Sequence, residues 1–181
     1  FSVLPDGFTI AHYVTIFESA SGYITNTLLY AGIAATADVV LGTAIAYIVL
    51  RTGIAGRKWL DYVSTGALAI PGVVLGIGYL RTFHDFQVPI IDKPLASWWV
   101  IIAIALTIRR LPYALRSCMA ALQQISVALE EASENLGATK ATTVRRIVVP
   151  LMAGGILAGF ITSFATAAVE LSDTIMLVSQ E

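Results

Sequence analysis

The chain has 181 residues, of which 57% are hydrophobic and only 13% are charged, with a net charge of −1. A soluble domain carries about a quarter charged residues, so the mean hydropathy of +0.79 excludes an ordinary soluble domain and indicates a membrane-embedded one. The single cysteine, Cys118, excludes an internal disulfide framework, and the length fits one domain or part of one.

The N-terminal part predicts a surface helix followed by a membrane span. Residues 26–50 are long enough to cross about 30 Å of hydrocarbon, so they form the first predicted span. Asp38 alone interrupts their apolar character, and a charge at that depth faces a pathway or the packing interior. An amphipathic helix at the membrane surface or against the bundle is predicted before it, from the helical spacing of Ile10, Tyr13, Val14 and Phe17.

The second predicted span covers residues 62–80. Pro71 removes one backbone donor and should kink this helix. Gly72 and Gly76 are four residues apart, a spacing that lets two helices approach closely in lipid. The helix either lines a passage or only packs, and both interpretations stay open. Residues 81–95 predict an external loop or a short re-entrant segment.

Two further spans are predicted, at residues 96–110 and 150–169. Arg109 and Arg110 should end the third span. The fourth contains Gly155 and Gly159, again at close-contact spacing.

The fourth span is followed by two acidic residues, Glu170 and Asp173. We expect both at the outer mouth of the bundle.

A polar segment, residues 126–149, lies between spans three and four. Ser126 should cap a first helix, and Gly137 should end it because glycine tolerates a left-handed backbone. Thr139 should cap a second helix, and Pro150 suits the first turn of the helix that follows. The segment therefore predicts a helix, a turn and a second helix.

Basic residues favour one side of this four-span arrangement. Nine of the 11 lysines and arginines fall on the side of the polar segment, and only Arg81 and Lys93 fall on the other. Because cytoplasmic loops carry the excess of basic residues, we expect residues 126–149 in the cytoplasm and both chain ends outside. The nine are Arg51, Arg57, Lys58, Arg109, Arg110, Arg116, Lys140, Arg145 and Arg146.

The polar segment also carries a motif, formed in chain order by Glu131, Ala132, Ser133, Gly137, Ile147 and Pro150. The motif resembles the EAA loop of importer-type ABC-transporter permeases, the MetI-like family. It departs from the family pattern by Ser133 for alanine and by Val149 for leucine, which are small changes of side chain. An ordinary amphipathic loop between spans is the alternative interpretation.

The resemblance implies an all-α polytopic membrane bundle, the type I importer permease fold, with about four of the usual core spans in residues 1–181. Since that family has one further span after the fourth, the chain is expected to be a piece of something longer. The loop would dock on an ABC ATPase subunit, which alone uses ATP, so this chain would bind no cofactor. The residues that would dock are Glu131, Ala132, Ser133, Gly137, Ala138, Thr139, Arg145 and Pro150.

The other implied partners are a second permease half, identical or fused, and an extracytoplasmic binding protein at a bacterial inner membrane. Residues 69–76, 110–117 and 170–177 are similar to ferric-iron uptake permeases, so ferric iron is the first expectation for the cargo. Polyamine, thiamine and phosphonate permeases are close relatives of that group. Candidates for the pathway are Asp38, Pro71, Gly72, Glu170 and Asp173.

No catalytic signature is present in the sequence. It has no G-x-x-x-x-G-K-[ST] loop, no H-E-x-x-H pair and no C-x-x-C pair. A metal contact by His84 and Asp85 is weaker than the interpretation of a solvated loop, so we predict neither a catalytic nor a metal site. The rival classes are an ATP-independent transporter or channel, and a membrane scaffold or intramembrane enzyme.

Overall fold

The computed structural model describes residues 9–88, 93–95, 98–172 and 174–178, and helices dominate them, which confirms the all-α prediction. A 3-10 turn, Ala67–Ala69, extends α2, and a π turn, Val144–Val148, joins α6 to α7. Two short strands, β1 (Gln87–Val88) and β2 (Lys93–Pro94), pair in an antiparallel manner. The helices are α1 (Ala11–Arg51), α2 (Arg57–Gly66), α3 (Gly72–Phe83), α4 (Val100–Gln123), α5 (Val127–Asn135), α6 (Lys140–Thr143), α7 (Val149–Leu151), α8 (Ala153–Ala168) and α9 (Thr174–Val178).

The first helix is one continuous rod of 41 residues. The prediction of a separate surface helix before the first span is therefore wrong. No proline lies within α1, so no backbone donor is missing, and hydrogen bonding passes through the polar stretch without a break.

The second predicted span is broken rather than kinked. Its two halves, α2 with the following 3-10 turn and α3, meet at an angle of 106°. Ile70 is extended, with φ −98° and ψ 127°, as expected of a residue before proline. Pro71 has no N–H to continue the first half, so it begins a new helix instead.

The helix that contains the third predicted span continues past Arg109 and Arg110, the residues at which the span itself was predicted to end. It continues to Gln123 with Pro112 inside it. The two arginines are tolerated within the bundle because their guanidinium groups find acceptors there, as shown in the next section.

Helices α1, α4 and α8 form the centre of the bundle. Helices α1 and α4 run in parallel, since Tyr30 stacks on Trp99 near one end and Arg51 reaches the Leu122 carbonyl at the other. Helix α8 runs antiparallel to α4. A Cβ atom on Gly42 of α1 would lie 3.1 Å from the Leu115 backbone nitrogen, so α1 and α4 are in close contact there.

The glycine pair of α8 brings it directly against α4, as its spacing predicted. A Cβ atom on Gly155 would lie 2.3 Å from the Cβ of Ala121, and one on Gly159 would lie 3.2 Å from the Cα of Ala114. We call this contact the glycine seam. Any larger side chain at Gly155 would push α8 away from α4.

The fourth predicted span is bent close to its start. The segment 140–151 is helical throughout, with Pro150 in the first turn of α7, and α8 starts after a bend of 68° at Met152. Pro150 therefore belongs to the end of the polar segment, and Ala153 starts the apolar helix.

By length and composition, α1 is the one helix in the described part of the chain that could cross a membrane alone. Two bent pairs, 57–69 with 72–83 and 140–151 with 153–168, raise the number to three if each pair counts as one span. Helix α4 is not among them because Arg109, Arg110 and Arg116 interrupt its apolar character.

Candidate functional site

The polar segment folds as a helix, a turn and a second helix, and we call this unit, residues 126–149, the elbow. The Ser126 hydroxyl accepts a hydrogen bond from the Ala128 N–H at 3.3 Å, which confirms the predicted cap of α5. Gly137 has φ +89°, and the Ala138 N–H donates to the Ser133 carbonyl at 3.1 Å. The left-handed glycine ends α5 as predicted, because it turns the chain without a Cβ clash.

The second helix of the elbow begins at the predicted residue and is tied back to the first. The Thr139 hydroxyl accepts from the Thr142 N–H at 3.3 Å, which caps α6. The Ser133 and Thr143 hydroxyls lie 2.9 Å apart and share a hydrogen bond between α5 and α6. Ser133 is where the sequence departs from the EAA pattern, and alanine, the residue of that pattern, has no hydroxyl to make this contact.

One face of α5 is fixed to the bundle by a group of side chains that we call the clasp: Tyr47, Arg51 and Glu130. Arg51 Nε lies 2.7 Å from Glu130 Oε1, and the Tyr47 hydroxyl donates to Glu130 Oε2 at 3.1 Å. Arg51 Nη2 also donates to the Leu122 and Ile125 carbonyls, at 3.0 and 2.5 Å. The clasp therefore joins the end of α1, the end of α4 and the start of α5.

The sequence did not reveal the clasp. Arg51 was counted only among the basic residues on the side of the polar segment, and Glu130 was given no role. The adjacent pair Glu130 and Glu131 could have indicated it. Two neighbouring residues of a helix point in different directions, so the two carboxylates were bound to have different surroundings. Glu130 is buried and Glu131 is exposed.

The opposite face of α5 is open. Leu129, Ala132 and Leu136 follow i, i+3, i+7 spacing, and all three are exposed, Leu136 to 89%. Glu131 and Arg145 are exposed as well. An apolar stripe beside charged side chains suits contact with another protein. Leu129 and Leu136 were not among the predicted docking residues, although their spacing could have revealed them.

A second polar group lies inside the bundle, away from the elbow. Asp38 of α1 is fully buried, and the Ser163 hydroxyl of α8 donates to its Oδ2. Its other oxygen, Oδ1, has no hydrogen-bond partner in the described residues. Asp38 therefore lies in the packed interior of this chain, and a role in the pathway stays a prediction.

Glu170 follows α8 and meets two arginines of α4. Arg110 Nη2 contacts Glu170 Oε2, and Arg109 Nε lies 3.4 Å from the same oxygen. The Glu170 side chain is only 5% exposed, and it lies at the end of α8 that is remote from the elbow; its position at the outer mouth stays a prediction. We call Arg109, Arg110 and Glu170 the hub.

The hub also corrects the sidedness of its arginines. The elbow precedes α8, whereas Glu170 follows it, so Arg109 and Arg110 do not lie on the side of the elbow as predicted. Without them, seven basic residues remain on the elbow side against Arg81 and Lys93 on the other. The asymmetry that predicts a cytoplasmic elbow is reduced but keeps its sign.

Two other pathway candidates follow Ile70, whose carbonyl accepts a hydrogen bond from Arg109 of the hub. Pro71 and Gly72 lie at the break before α3, where Pro71 is exposed and Gly72 is buried. Asp173 lies outside the described residues. In the described part of the chain, no three histidine, cysteine or acidic side chains come together as a metal site.

Comparison with known proteins adds a family and a set of relatives. Residues 38–180 match the family described as binding-protein-dependent transport system inner membrane component. The ferric transport system permease protein FbpB of Actinobacillus pleuropneumoniae is 33% identical, over 96% of this chain and 25% of that protein.

Other relatives carry different names. The sulfate transport system permease protein CysT of Salmonella typhimurium is 28% identical, over 83% of this chain and 56% of that protein. A permease of Salmonella paratyphi A named for 2-aminoethylphosphonate is 26% identical, over 97% of this chain and 64% of that protein. The chain thus spans a quarter of the length of the ferric relative and less than two thirds of the other two.

Among solved structures, the chain is similar to one described as inward-facing conformations of the MetNI methionine ABC transporter. The TM-score is 0.66 at 17% identity, over 89% of this chain and 73% of that chain. At that identity the likeness concerns the fold, which is the MetI-type permease bundle that the sequence predicted.

Proposed function

Because the chain belongs to the family of binding-protein-dependent transport system inner membrane components, we propose that it is the permease part of an ATP-driven importer. Its partners are an ABC ATPase subunit, a second permease half and an extracytoplasmic binding protein. ATP is bound and hydrolysed on the separate ATPase subunit, so this chain carries no catalytic residue and no cofactor.

The observation that carries the proposal is the division of α5 into a fixed face and a free face. Glu130 is held in the clasp, while Glu131, Ala132 and Leu136 are exposed. The free face supplies an apolar stripe with a charge beside it, which suits a groove on the ATPase. The fixed face joins that contact to α1 and α4 without a flexible link.

The mechanism that follows is alternating access driven from the elbow. When ATP closes the two ATPase subunits, each elbow moves with the subunit that holds it. Because the clasp fixes α5 to the ends of α1 and α4, the displacement reaches the bundle and tilts it. Substrate released by the binding protein then passes between the two permease halves.

The test is uptake by cells that carry Gly137→Asp in the full-length permease, measured together with its abundance in the membrane. At φ +89° a substituted residue strains the turn by about 1–2 kcal/mol, and the new carboxylate lies at the docking face. We expect uptake to be abolished while abundance stays normal. Normal uptake would contradict the proposed role of the elbow.

Capture of the ATPase subunit tests the contact itself. Glu131→Lys should lose the ATPase subunit in pull-down from detergent-solubilised membranes. Glu18→Lys is the matched control, because Glu18 is exposed on α1 far from the elbow. If purified permease moved substrate without any ATPase, the rival class of ATP-independent transporter or channel would be favoured instead.

For the cargo we propose ferric iron, supported by the FbpB relative at 33% identity. Sulfate and 2-aminoethylphosphonate are the alternatives that other relatives' names suggest, and polyamine and thiamine follow from the sequence resemblance. Uptake of radioactive iron that depends on this chain and on its binding protein would support ferric iron. Uptake of only one of the other compounds would replace it.

We also propose a bacterial inner membrane with the elbow on the cytoplasmic side, on the basis of the basic residues that flank it. A cysteine placed at Thr139 tests this, since Thr139 is exposed and the native Cys118 is buried. A membrane-impermeant thiol reagent added to intact cells should not label it. Labelling from outside would contradict both the orientation and the docking of a cytoplasmic ATPase.

A further inference from the structure

The break between α2 and α3 leaves a carbonyl group that helical hydrogen bonds do not use. The N–H groups of Val74 and Leu75 both donate to the Pro71 carbonyl, at 3.0 and 3.2 Å. The Ile70 carbonyl instead accepts from Arg109 Nη1 of α4 at 3.0 Å. Because an unsatisfied backbone group in hydrocarbon costs several kcal/mol, this contact stabilises the broken form of the span.

The same arginine connects the break to the end of α8. While Nη1 of Arg109 holds Ile70, its Nε lies 3.4 Å from Glu170 Oε2. The Arg109 side chain is 18% exposed, so little water competes for these contacts. Arg109 thus donates a hydrogen bond to the Ile70 carbonyl through Nη1 and lies within ion-pair distance of the Glu170 carboxylate.

Glu170 in turn fixes the chain that leads into α9. Its Oε1 accepts from the Ser172 N–H, and its carbonyl accepts from the Thr174 hydroxyl, both at 2.9 Å. Leu177 of α9 is buried in a cluster that also includes Tyr79 and Phe83 of α3. The hub therefore reaches α3 twice, at its start through Arg109 and along its length through α9.

The last turns of α3 pack through Tyr79, Leu80 and Phe83, whereas its first turns bury little side-chain surface. In the described residues its buried positions are Gly72 and Gly76, which have no side chain. Val73, Val74 and Ile77 are exposed. The side chains at the start of α3 therefore contribute little packing, and the contact of Arg109 with Ile70 is the polar contact that fixes this end of the helix.

We propose that Arg109 and Glu170 are positioning residues that hold α3 at its angle to α2, and that transport depends on this angle. The half-helix α3 and the short helix α9 act as one unit on the bundle, anchored to α4 and to the end of α8 by the hub. This inference concerns the second span and not the elbow. Only its transport measurement depends on the proposed function.

The angle itself is measured with spin labels on both sides of the break, at Leu68→Cys and Val74→Cys, which are exposed positions. The labels are placed in the complete transporter after Cys118→Ser. Electron paramagnetic resonance should give one narrow distance distribution for the native hub. Arg109→Gln and Glu170→Gln should each broaden it, and the double variant should broaden it by less than the sum of the two single changes, because the two residues share one contact.

Arg109→Lys is the second variant. It keeps the charge and loses the planar fork, so it should also broaden the distribution. This variant keeps the test available if Arg109→Gln does not reach the membrane. A distribution that stays as narrow in Arg109→Lys and Glu170→Gln as in the native protein would overturn the proposal.

Arg116→Gln is the matched control. Arg116 joins the same helix α4 to α2 through Asp61 at 3.0 Å, but its side chain is 54% exposed, and exposed ion pairs contribute little. We expect its distance distribution to stay narrow. Equal broadening in Arg116→Gln and Arg109→Gln would overturn the special role of the hub.

The transport arm compares maximal uptake rate with apparent KM. Glu170→Gln should lower the maximal rate at least tenfold with KM for the loaded binding protein unchanged, and ATPase capture should remain normal. If Glu170→Gln broadened the distance distribution but left the maximal uptake rate unchanged, transport would not depend on the angle of α3. If the native complex showed no ATP-dependent uptake, the proposed function would fail while the distance measurement still tested the hub.

Discussion

The clasp and the glycine seam hold helices together by opposite means. At the clasp, three helices meet through charged and hydrogen-bonded atoms, and both carboxylate oxygens of Glu130 are used. At the seam, α4 and α8 meet through Gly155 and Gly159, where a Cβ atom would find no room. One contact depends on direction and charge, and the other depends on volume.

The difference reflects the two surroundings of the chain. Within hydrocarbon, helices gain little from burying apolar surface, so close packing of small residues drives their contact. At the elbow side, a buried ion pair fixes geometry through directional bonds, and it tolerates the loss of either partner poorly. Substitutions that alter charge should therefore break the clasp, and substitutions that alter volume should break the seam.

The largest effect is expected from Glu130→Ala. It leaves Arg51 buried without its carboxylate, which should lower the free energy of unfolding by about 3 kcal/mol. Chemical denaturation of the full-length permease in detergent micelles measures this. Glu134→Ala is the control, because Glu134 is exposed on the same helix, and it should change stability by less than about 0.5 kcal/mol. Equal losses would remove the distinction between the two faces of α5.

Gly155→Ala comes next and tests the seam by volume alone. The new Cβ would lie 2.3 Å from the Cβ of Ala121, so overpacking should cost about 2 kcal/mol in free energy of unfolding. Gly154→Ala is the control, since nothing lies within 4 Å of a Cβ there. If the two neighbouring glycines responded alike to alanine in the same denaturation experiment, the close approach of α4 and α8 would be in error.

Tyr47→Phe sharpens the account of the clasp. It removes the hydroxyl that donates to Glu130 Oε2 and leaves the ion pair intact, so it should cost about 1.5 kcal/mol, the usual value for a hydrogen bond to a charged group. Tyr23→Phe, at a position 77% exposed on the same helix, should cost nothing measurable. A loss as large as that of Glu130→Ala would mean that Tyr47, and not Arg51, holds Glu130.

The smallest effect is expected from Ser133→Ala, which restores the family residue. It removes the hydroxyl contact with Thr143 and should cost about 0.5 kcal/mol. The double variant Ser133→Ala/Thr143→Val should cost less than the sum of the two single changes. Strict additivity of the free energies of unfolding would show that the two hydroxyls do not interact.

Local chemistry explains which features of this chain were predictable. The caps at Ser126 and Thr139 and the left-handed turn at Gly137 were all confirmed. Each of these features depends only on residues within four positions of it. The close contact at Gly155 and Gly159 was predictable for the same reason, since spacing alone puts both on one face of α8. The family also followed from a short run of residues in the elbow.

The predictions that were wrong depend on distant partners. Arg109 and Arg110 were counted on the side of the elbow because cytoplasmic loops carry the excess of basic residues. The acceptors that retain them, Glu170 and the Ile70 carbonyl, are remote in sequence. The clasp was missed for the same reason, since Arg51 and Glu130 are joined only when α1, α4 and α5 come together.

By itself, the sequence determined that this is a helical membrane permease of a known family, with a capped polar elbow and one pair of glycines placed for close contact. Those features follow from composition, spacing and backbone preference, which act over a few residues. Only the tertiary structure decided which charges are buried, what they bind and where the second span breaks. A charge in a bundle is tolerated or excluded according to the partners that other helices bring to it, and a linear pattern does not contain them.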